Sequence, residues 1–189
     1  MTAWKGIVGE GMTADQFDDY VGTVQFGPWR PQFVVLHNTA EPTFAAWHNV
    51  PGSQRMRGLQ NYYRDDQKWS GGPHLFVADD LIWAFTPLSV PGVHAPSWNQ
   101  VSWGVEMVGE YNTEDMCDGV RENTIRTLTT LHSLAGFDPG TLRLHHEDPL
   151  TTHKGCPGTK VVKDDFVAAV RDRLTALHSG EHLPDRPSA

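Results

Sequence analysis

Near its amino end the chain reads Phe33-Val34-Val35-Leu36-His37-Asn38-Thr39-Ala40. A continuous apolar run with β-branched residues is typical of a strand buried on both faces, and residues 32–38 are predicted to form one. The turn-forming segment 38–42 should end the strand directly after His37. The sequence therefore predicts an imidazole at the end of a buried strand.

Helical and strand patterns alternate along the rest of the chain. Strands are predicted at 74–78 and 81–85, as a hairpin, and at 101–108, which is expected to alternate between a buried and an exposed face. Helices are predicted at 14–21, 53–67, 120–135 and 161–177, the first with Thr13 as its N-cap. Tyr63 is counted among the apolar positions of the helix at 53–67, and the apolar stripes of the last two helices include Leu134, Val162 and Leu177. The pattern indicates an α/β chain.

Length and charge limit the classes of protein. A chain of 189 residues with 39% hydrophobic content fits one core, so a main domain at 31–178 is expected between a lead-in at 1–30 with a short helix and a flexible tail at 179–189. A net charge of −8, without a basic cluster, argues against nucleic-acid and membrane partners. The amino end lacks a signal-peptide pattern, so synthesis in the cytoplasm is expected, with Cys117 and Cys156 reduced.

A second segment carries the residues of a metal site. It reads His145-His146-Glu147-Asp148-Pro149-Leu150-Thr151-Thr152-His153-Lys154-Gly155-Cys156-Pro157-Gly158. With His37, one histidine and Cys156 could form a His2Cys zinc site whose fourth position is open, which is the arrangement of catalytic zinc. His145 follows the segment Leu142-Arg143-Leu144, which is typical of another strand end. Only one of His145 and His146 should therefore reach the metal, because adjacent strand side chains point to opposite faces. The residues alone do not say which, and His153 could take the same place.

Five motifs in order give the chain a family resemblance. They are residues 35–40, Gly72-Pro73-His74-Leu75-Phe76-Val77, Val93-His94-Ala95, residues 102–109 and the segment 145–158. The chain resembles the zinc-dependent N-acetylmuramoyl-L-alanine amidases, a family that includes phage endolysins and wall-recycling enzymes and is similar to the peptidoglycan recognition proteins. The resemblance implies one domain with a mixed central β-sheet flanked by α-helices, one zinc ion, and cleavage of the amide between N-acetylmuramic acid and L-alanine.

The resemblance also implies roles for particular residues. The zinc ligands fall on His37, His145 and Cys156, and the lysine that stabilises the oxyanion falls on Lys154. Some family members carry a tyrosine before the His74 position, where this chain has Pro73. Wall-recycling members instead use a glutamate that matches Glu106. A carboxylate among apolar strand neighbours should have a raised pKa, which suits it to move protons.

Further residues are weaker candidates. Glu110 and Glu147 could do the work of Glu106, or Glu106 could be a salt-bridged strand residue. His94 matches a family histidine on the groove wall and is assigned to substrate binding, as is His153, which is also the rival zinc ligand. Four tryptophans could line a glycan groove or pack in the core; they are Trp47, Trp69, Trp98 and Trp103.

Alternative functions stay open at this point. One is a peptidoglycan-binding module without catalysis, and another is a cysteine hydrolase with Cys156 as nucleophile and His145 or His153 as base. For the amidase, the partner is peptidoglycan or a soluble muropeptide, and a monomer is expected. Such an enzyme could act on the wall after release as an endolysin, or recycle muropeptides in the cytoplasm.

Overall fold

A six-stranded mixed sheet forms the centre of the computed structural model, which describes residues 3–179. Its strands are β1 (Glu10–Met12), β2 (Phe33–Asn38), β3 (Leu75–Val77), β4 (Ile82–Ala84), β5 (Ser102–Met107) and β6 (Arg143–Leu144). Their order across the sheet is β1-β4-β3-β5-β2-β6. Strands β3, β5, β2 and β6 are parallel, whereas β4 pairs antiparallel with β3 and with β1. The mixed sheet expected from the resemblance is confirmed.

Helices flank this sheet. They are α1 (Ala14–Thr23), α2 (Phe44–Trp47), α3 (Gly52–Asn61), α4 (Asp118–Ala135) and α5 (Lys163–Ser179). The predicted N-cap is confirmed, because the Thr13 side chain accepts from the Gln16 backbone while the Gln16 side chain bonds back to Thr13. The predicted helix at 53–67 changes at Tyr62 into one π-helical turn, Tyr62–Asp66. Beyond Ser179, the predicted flexible tail lies outside the described residues.

The two faces of the sheet pack against different helices. On one face, side chains such as Leu36 and Val105 join a cluster with Phe17 of α1, Leu128 of α4 and Phe166 of α5. On the other face, Phe76, Trp83 and Phe85 pack with Trp47 of α2 and Met56 of α3. Because strand side chains alternate between faces, Phe76 lies on the second face while its neighbours Leu75 and Val77 lie on the first. The result is a sheet between two helical layers.

Two expectations about burial are wrong. Strand β5 does not alternate between buried and exposed residues: every residue except Glu106 is buried, because β5 lies between β3 and β2 and both sheet faces are covered. Leu134, Val162 and Leu177 were expected on apolar faces but are 40%, 52% and 56% exposed. In α5 only Phe166 and Val170 are buried, while Val167, Ala169 and Leu174 pack against the same core and stay partly exposed.

Short elements escaped prediction. Strand β1 and helix α2 have three and four residues, too few for a periodic pattern. The 3₁₀ turns Pro139–Thr141 and His145–Glu147 are equally short. The last of them matters for function, because it begins at the residue directly after β6.

Candidate active site

The candidate site is built on the carboxyl ends of three neighbouring parallel strands. In the register of β2 and β5, His37 lies opposite Glu106. In the register of β2 and β6, Leu36 lies opposite Leu144, so His145 follows beside His37. The carboxyl ends of parallel strands meet at one edge of a sheet, a common position for binding sites in α/β folds. The sheet therefore places a carboxyl group and two imidazoles side by side.

A returning loop brings Cys156 to these strand ends. The backbone N–H and the Nδ1–H of His146 both donate to the Cys156 carbonyl, at 3.0 and 3.1 Å. Behind Cys156, Gly158 has a φ of +112°, and a Cβ there would lie 2.4 Å from the Tyr111 carbonyl carbon. The loop is thus seated closely against Tyr111. The Cys156 thiol accepts from the Asn38 backbone N–H at 3.5 Å.

His37, His145 and Cys156 form a cluster that can hold a metal ion. Their ligand atoms lie within 4.8 Å of one another, and Cys156 Sγ is 3.9 Å from His37 Nδ1. Two imidazoles and a thiol are zinc donors, and neighbouring ligand atoms around tetrahedral zinc are about 3.3–3.6 Å apart. Small side-chain shifts would close the cluster to that geometry, so the residues fit zinc.

The other two histidines of the segment lie outside the cluster. His146 is exposed and holds the Cys156 carbonyl. The His153 ring stacks on His145 with ring centroids 5.7 Å apart, at the exposed rim of the site. The resemblance assigned the ligand to His145, and His145 is the member of the pair that lies in the cluster. The strand argument for opposite faces does not apply, because both residues lie in a 3₁₀ turn after the strand has ended.

Burial sets the protonation of the cluster. It lowers the pKa of His37 well below the usual range, and burial together with the neighbouring His153 lowers the pKa of His145 to about 4. Both imidazoles are therefore neutral near pH 7 and keep a lone pair for a metal. Burial, and then the charge of Glu106, raise the pKa of the Cys156 thiol. A thiol held protonated is a poor nucleophile, which argues against the cysteine hydrolase.

Glu106 is the buried acid of the site. Its side chain is 12% exposed, and Oε1 lies 3.9 Å from His37 Nδ1. Burial raises the pKa of Glu106 to about 8, so the group can take up or release a proton near neutral pH. The alternatives are engaged differently: Glu110 accepts from the Asn112 backbone and side chain, and Glu147 pairs with Lys163 at 2.9 Å.

An open cleft of about 1280 Å³ runs over the cluster. His37, His145, Cys156 and Glu106 line it, as do both predicted substrate-binding residues, His94 and His153. Lys154 points elsewhere: it is exposed, and its ammonium donates to the Asp148 carbonyl at 3.1 Å. The structure thus brings together every predicted site residue except Lys154.

His94 is more buried than a groove-wall residue needs to be. It is 8% exposed, and its Nδ1 lies 3.1 Å from His37 Nε2. Its Nε2 lies 3.4 Å from the Ser102 carbonyl oxygen. Burial lowers the pKa of His94 well below the usual range, so this ring is also neutral near pH 7.

The tryptophans divide between core and cleft. Trp47 and Trp103 are buried, and Trp98 packs its edge against Phe33. Trp69 is 38% exposed and lies on the cleft wall, where Tyr63 stacks on it at 5.1 Å. Of these four residues, only Trp69 faces the cleft.

Sequence reasoning missed two residues near the site. Tyr63, counted among the apolar positions of a helix, lines the cleft, and its pKa is raised by burial and then by the charge of Glu106. The Thr151 hydroxyl lies 2.9 Å from His145 Nε2. Helical spacing assigned Tyr63 to a packed face, and no local pattern distinguishes Thr151 from Thr152.

The chain is similar to several known proteins. The model of the family described as N-acetylmuramoyl-L-alanine amidase matches residues 27–159. Peptidoglycan-recognition protein LB of Drosophila melanogaster is 26% identical over 137 residues, which are 68% of this chain and 55% of that protein. Peptidoglycan-recognition protein SC2 of Drosophila simulans is 26% identical over 131 residues, with 68% and 69% covered. The chain therefore spans only about half the length of the first of these relatives.

Solved structures share the fold. The endolysin LysCS of Clostridium intestinale, an N-acetylmuramoyl-L-alanine amidase, superimposes with a TM-score of 0.61 at 22% identity over 76% of this chain and 85% of that one. A mutant of Drosophila recognition protein LB in complex with tracheal cytotoxin gives 0.62 at 21% identity, over 75% and 83%. At these identities the likeness shows the fold alone. Within residues 3–179, no helix is long and apolar enough to cross a membrane.

Proposed function

Because the chain belongs to the N-acetylmuramoyl-L-alanine amidase family, we propose that it hydrolyses the amide between N-acetylmuramic acid and L-alanine in peptidoglycan, with one zinc ion. One observation carries the proposal. Two neutral imidazoles, a thiol and a carboxyl group of raised pKa meet at the floor of one open cleft. A binding protein has no need of an acid and three metal ligands that face the same space.

Each residue has a role in this scheme. His37, His145 and Cys156 hold the zinc, which supplies Lewis-acid polarisation of the scissile carbonyl and activation of a water. Glu106 takes a proton from the attacking water and passes it to the leaving amine. Its pKa of about 8 in the metal-free protein is near the pH at which both transfers must occur.

Lys154 stabilises the oxyanion of the tetrahedral intermediate. This role requires its ammonium to leave the Asp148 carbonyl and turn into the cleft, a movement open to an exposed lysine. His94 and His153 line the cleft beside the cluster and contact the substrate. The cleft is larger than most small-molecule pockets, as a substrate made of sugar and peptide requires.

A peptidoglycan-binding protein without catalysis is the second candidate. Two observations favour it: Pro73 offers no side-chain donor where some family members have tyrosine, and the similar curated proteins are named recognition proteins. The buried Glu106 beside His37 favours the enzyme, because a carboxyl group in this position adds a desolvation cost to a site that only binds.

The deciding experiment measures amide cleavage in purified peptidoglycan. Metal-stripped protein is assayed for new L-alanine amino groups before and after zinc is restored, and a chelator is then added again. Cleavage that returns with zinc and stops with the chelator is expected. Retained wall affinity with no cleavage in either state would establish the binding protein instead.

The biological setting is proposed to be lysis of the cell wall, as by an endolysin, and recycling of muropeptides is the alternative. The open cleft supports lysis of the cell wall, because a polymer that has no free end nearby can enter and leave such a cleft from the side. Rates on intact peptidoglycan and on soluble muropeptide distinguish the two. A preference for intact wall is expected, and activity confined to the soluble substrate would favour recycling.

A further inference from the structure

A chain of polar contacts runs behind the ligand His37, away from the cluster. His37 Nε2 lies 3.1 Å from His94 Nδ1, and His94 Nε2 lies 3.4 Å from the Ser102 carbonyl oxygen. His37, His94 and Ser102 are all buried. Water therefore cannot replace a missing partner easily, and the positions of the protons are set by these three groups.

The direction of this chain follows from its last member. A carbonyl oxygen only accepts, so His94 Nε2 carries the hydrogen, and a neutral ring then has a free lone pair on Nδ1. His37 must donate to that lone pair through its own Nε2–H. The remaining nitrogen of His37 is Nδ1, which lies 3.9 Å from both Cys156 Sγ and Glu106 Oε1.

We propose that His94 is a positioning residue, which fixes the tautomer and the ring orientation of His37 so that Nδ1 is free to bind the metal. The inference rests on the zinc site of the proposed function. It gives His94 a role beyond the substrate contact expected from the resemblance. Histidine ligands commonly donate the N–H of their second ring nitrogen to a carboxylate, a carbonyl or water, and loss of that partner weakens metal binding. Here the lone pair of His94 Nδ1 takes that place.

The fold makes room for this ring. A Cβ on Gly104 would lie 2.5 Å from His94 Cγ and 2.7 Å from His94 Nδ1, so only glycine fits opposite the ring at that point of β5. The backbone of His94 is held as well, because Asn99 Oδ1 accepts from the N–H groups of His94 and Ala95 at 2.7 and 2.9 Å. Strand β5 thus supplies Glu106 to the cleft and, two residues earlier, the space for His94.

The second imidazole ligand is supported differently. His145 Nε2 lies 2.9 Å from the Thr151 hydroxyl, and that hydroxyl also accepts from the His153 backbone N–H. A hydroxyl can donate or accept, so Thr151 is compatible with either tautomer of His145. Of the two imidazole ligands, only His37 has a partner, His94, whose own N–H is directed to a carbonyl oxygen, that of Ser102. Removal of His94 should therefore lower the affinity for zinc.

The test compares zinc affinities, measured by competition with a chelator and without substrate. His94→Ala removes the acceptor, and a loss of about 10- to 100-fold is expected. His94→Asn places an amide near the position of Nδ1 and should recover most of the affinity. His132→Ala, at a buried histidine bonded to Leu128 in α4, is the matched control and should bind zinc as the unaltered protein does. Circular dichroism checks that each variant is folded.

Two results would overturn the proposal. If His94→Ala bound zinc with unchanged affinity, His94 would not position the ligand, and a raised KM would then assign it to the substrate. If ¹⁵N spectra of the metal-free, unaltered protein showed the hydrogen of His37 on Nδ1, the inferred chain would run the other way. The zinc affinity and the ¹⁵N spectra are both independent of amide cleavage. Absence of cleavage in a protein with the expected zinc affinities would therefore defeat the proposed function and leave this inference standing.

Discussion

The two sides of the candidate site are made in different ways. On the strand side, His37 and Glu106 lie in hydrogen-bonded register on neighbouring strands, and both are shielded from solvent. On the loop side, Cys156 is half-buried, and His153 and Lys154 are exposed in an irregular segment. The strand side is positioned by the sheet ladder, whereas the loop side depends on a few hydrogen bonds and on the fit of Gly158 against Tyr111.

This difference separates two kinds of contribution. Residues on the strand side are expected to affect both stability and chemistry, because their partners are buried and cannot form a replacement hydrogen bond with water. Residues on the loop side should affect metal binding or turnover with little change in the free energy of unfolding. Substitutions on the two sides should therefore differ in their effects on stability.

The largest effects are expected for the ligands. His37→Ala and Cys156→Ala should both abolish zinc retention and amide cleavage, measured as zinc content after dialysis and as released amino groups. His37→Ala should also lower the free energy of unfolding by about 1–3 kcal/mol, because His94 Nδ1 is left buried without its partner. Cys156→Ala should change that energy less in the metal-free protein. Retained cleavage in Cys156→Ala would defeat the ligand assignment.

Loss of the buried acid comes next. Glu106→Gln should retain zinc and lower kcat by about 10²- to 10⁴-fold, because an amide cannot move the proton. Glu110→Gln is the comparison, since Glu110 lines the same cleft but is held by Asn112, and a much smaller fall in kcat is expected. Full turnover in Glu106→Gln would show that Glu106 is not the base.

A smaller effect is expected for the loop-side lysine. Lys154→Met should lower kcat by about 10²- to 10³-fold with zinc content and thermal stability unchanged, because an oxyanion donor acts only in the transition state. Lys160→Met is the control: Lys160 is a nearby exposed lysine that pairs with Asp115 at 2.7 Å, outside the cleft. Equal kcat values for Lys154→Met and Lys160→Met would show that Lys154 does not stabilise the oxyanion and only contacts the loop, at the Asp148 carbonyl.

The last effect concerns pH and His74, a buried histidine directly before β3. Burial lowers the pKa of His74 to about 4, below its usual value of 6.5. The neutral ring therefore contributes stability that is fully present above about pH 6.5 and is lost as the pH falls through 4, by roughly 3 kcal/mol at most. Urea unfolding of the metal-free protein between pH 7.5 and 4.5 measures the combined dependence, to which the lowered pKa values of His37, His94 and His145 also contribute. His74→Gln should reduce the slope without abolishing it, and an unchanged slope would assign the whole dependence to those other groups.

Much of the strand side could be predicted from the sequence. The apolar run before His37 and the turn after it define β2 and its last residues, and a cap and a stripe define α1 and α4. Glu106 required the resemblance, because a single carboxylate in a strand has no pattern of its own. Its register opposite His37 is a tertiary fact that the local sequence does not contain.

The loop side was harder to predict for physical reasons. The argument that His145 and His146 point to opposite faces assumed a strand, but β6 ends at Leu144 and the chain turns at once. Val162 and Leu177 show why a periodic apolar face is not proof of burial: periodicity reveals the face, but a covering layer has to come from elsewhere. Thr151 and Tyr63 acquire their positions only when distant segments meet.

The ends of the sheet have a consequence for how the molecule behaves at high concentration. The outermost strands, β1 and β6, are the three- and two-residue strands at either end of the order. A long unpaired edge is a template on which a second chain can add a strand, and short edges are one way in which proteins avoid this. The longest strands, β2 and β5, are paired on both sides. The sheet therefore offers little backbone for edge-to-edge aggregation.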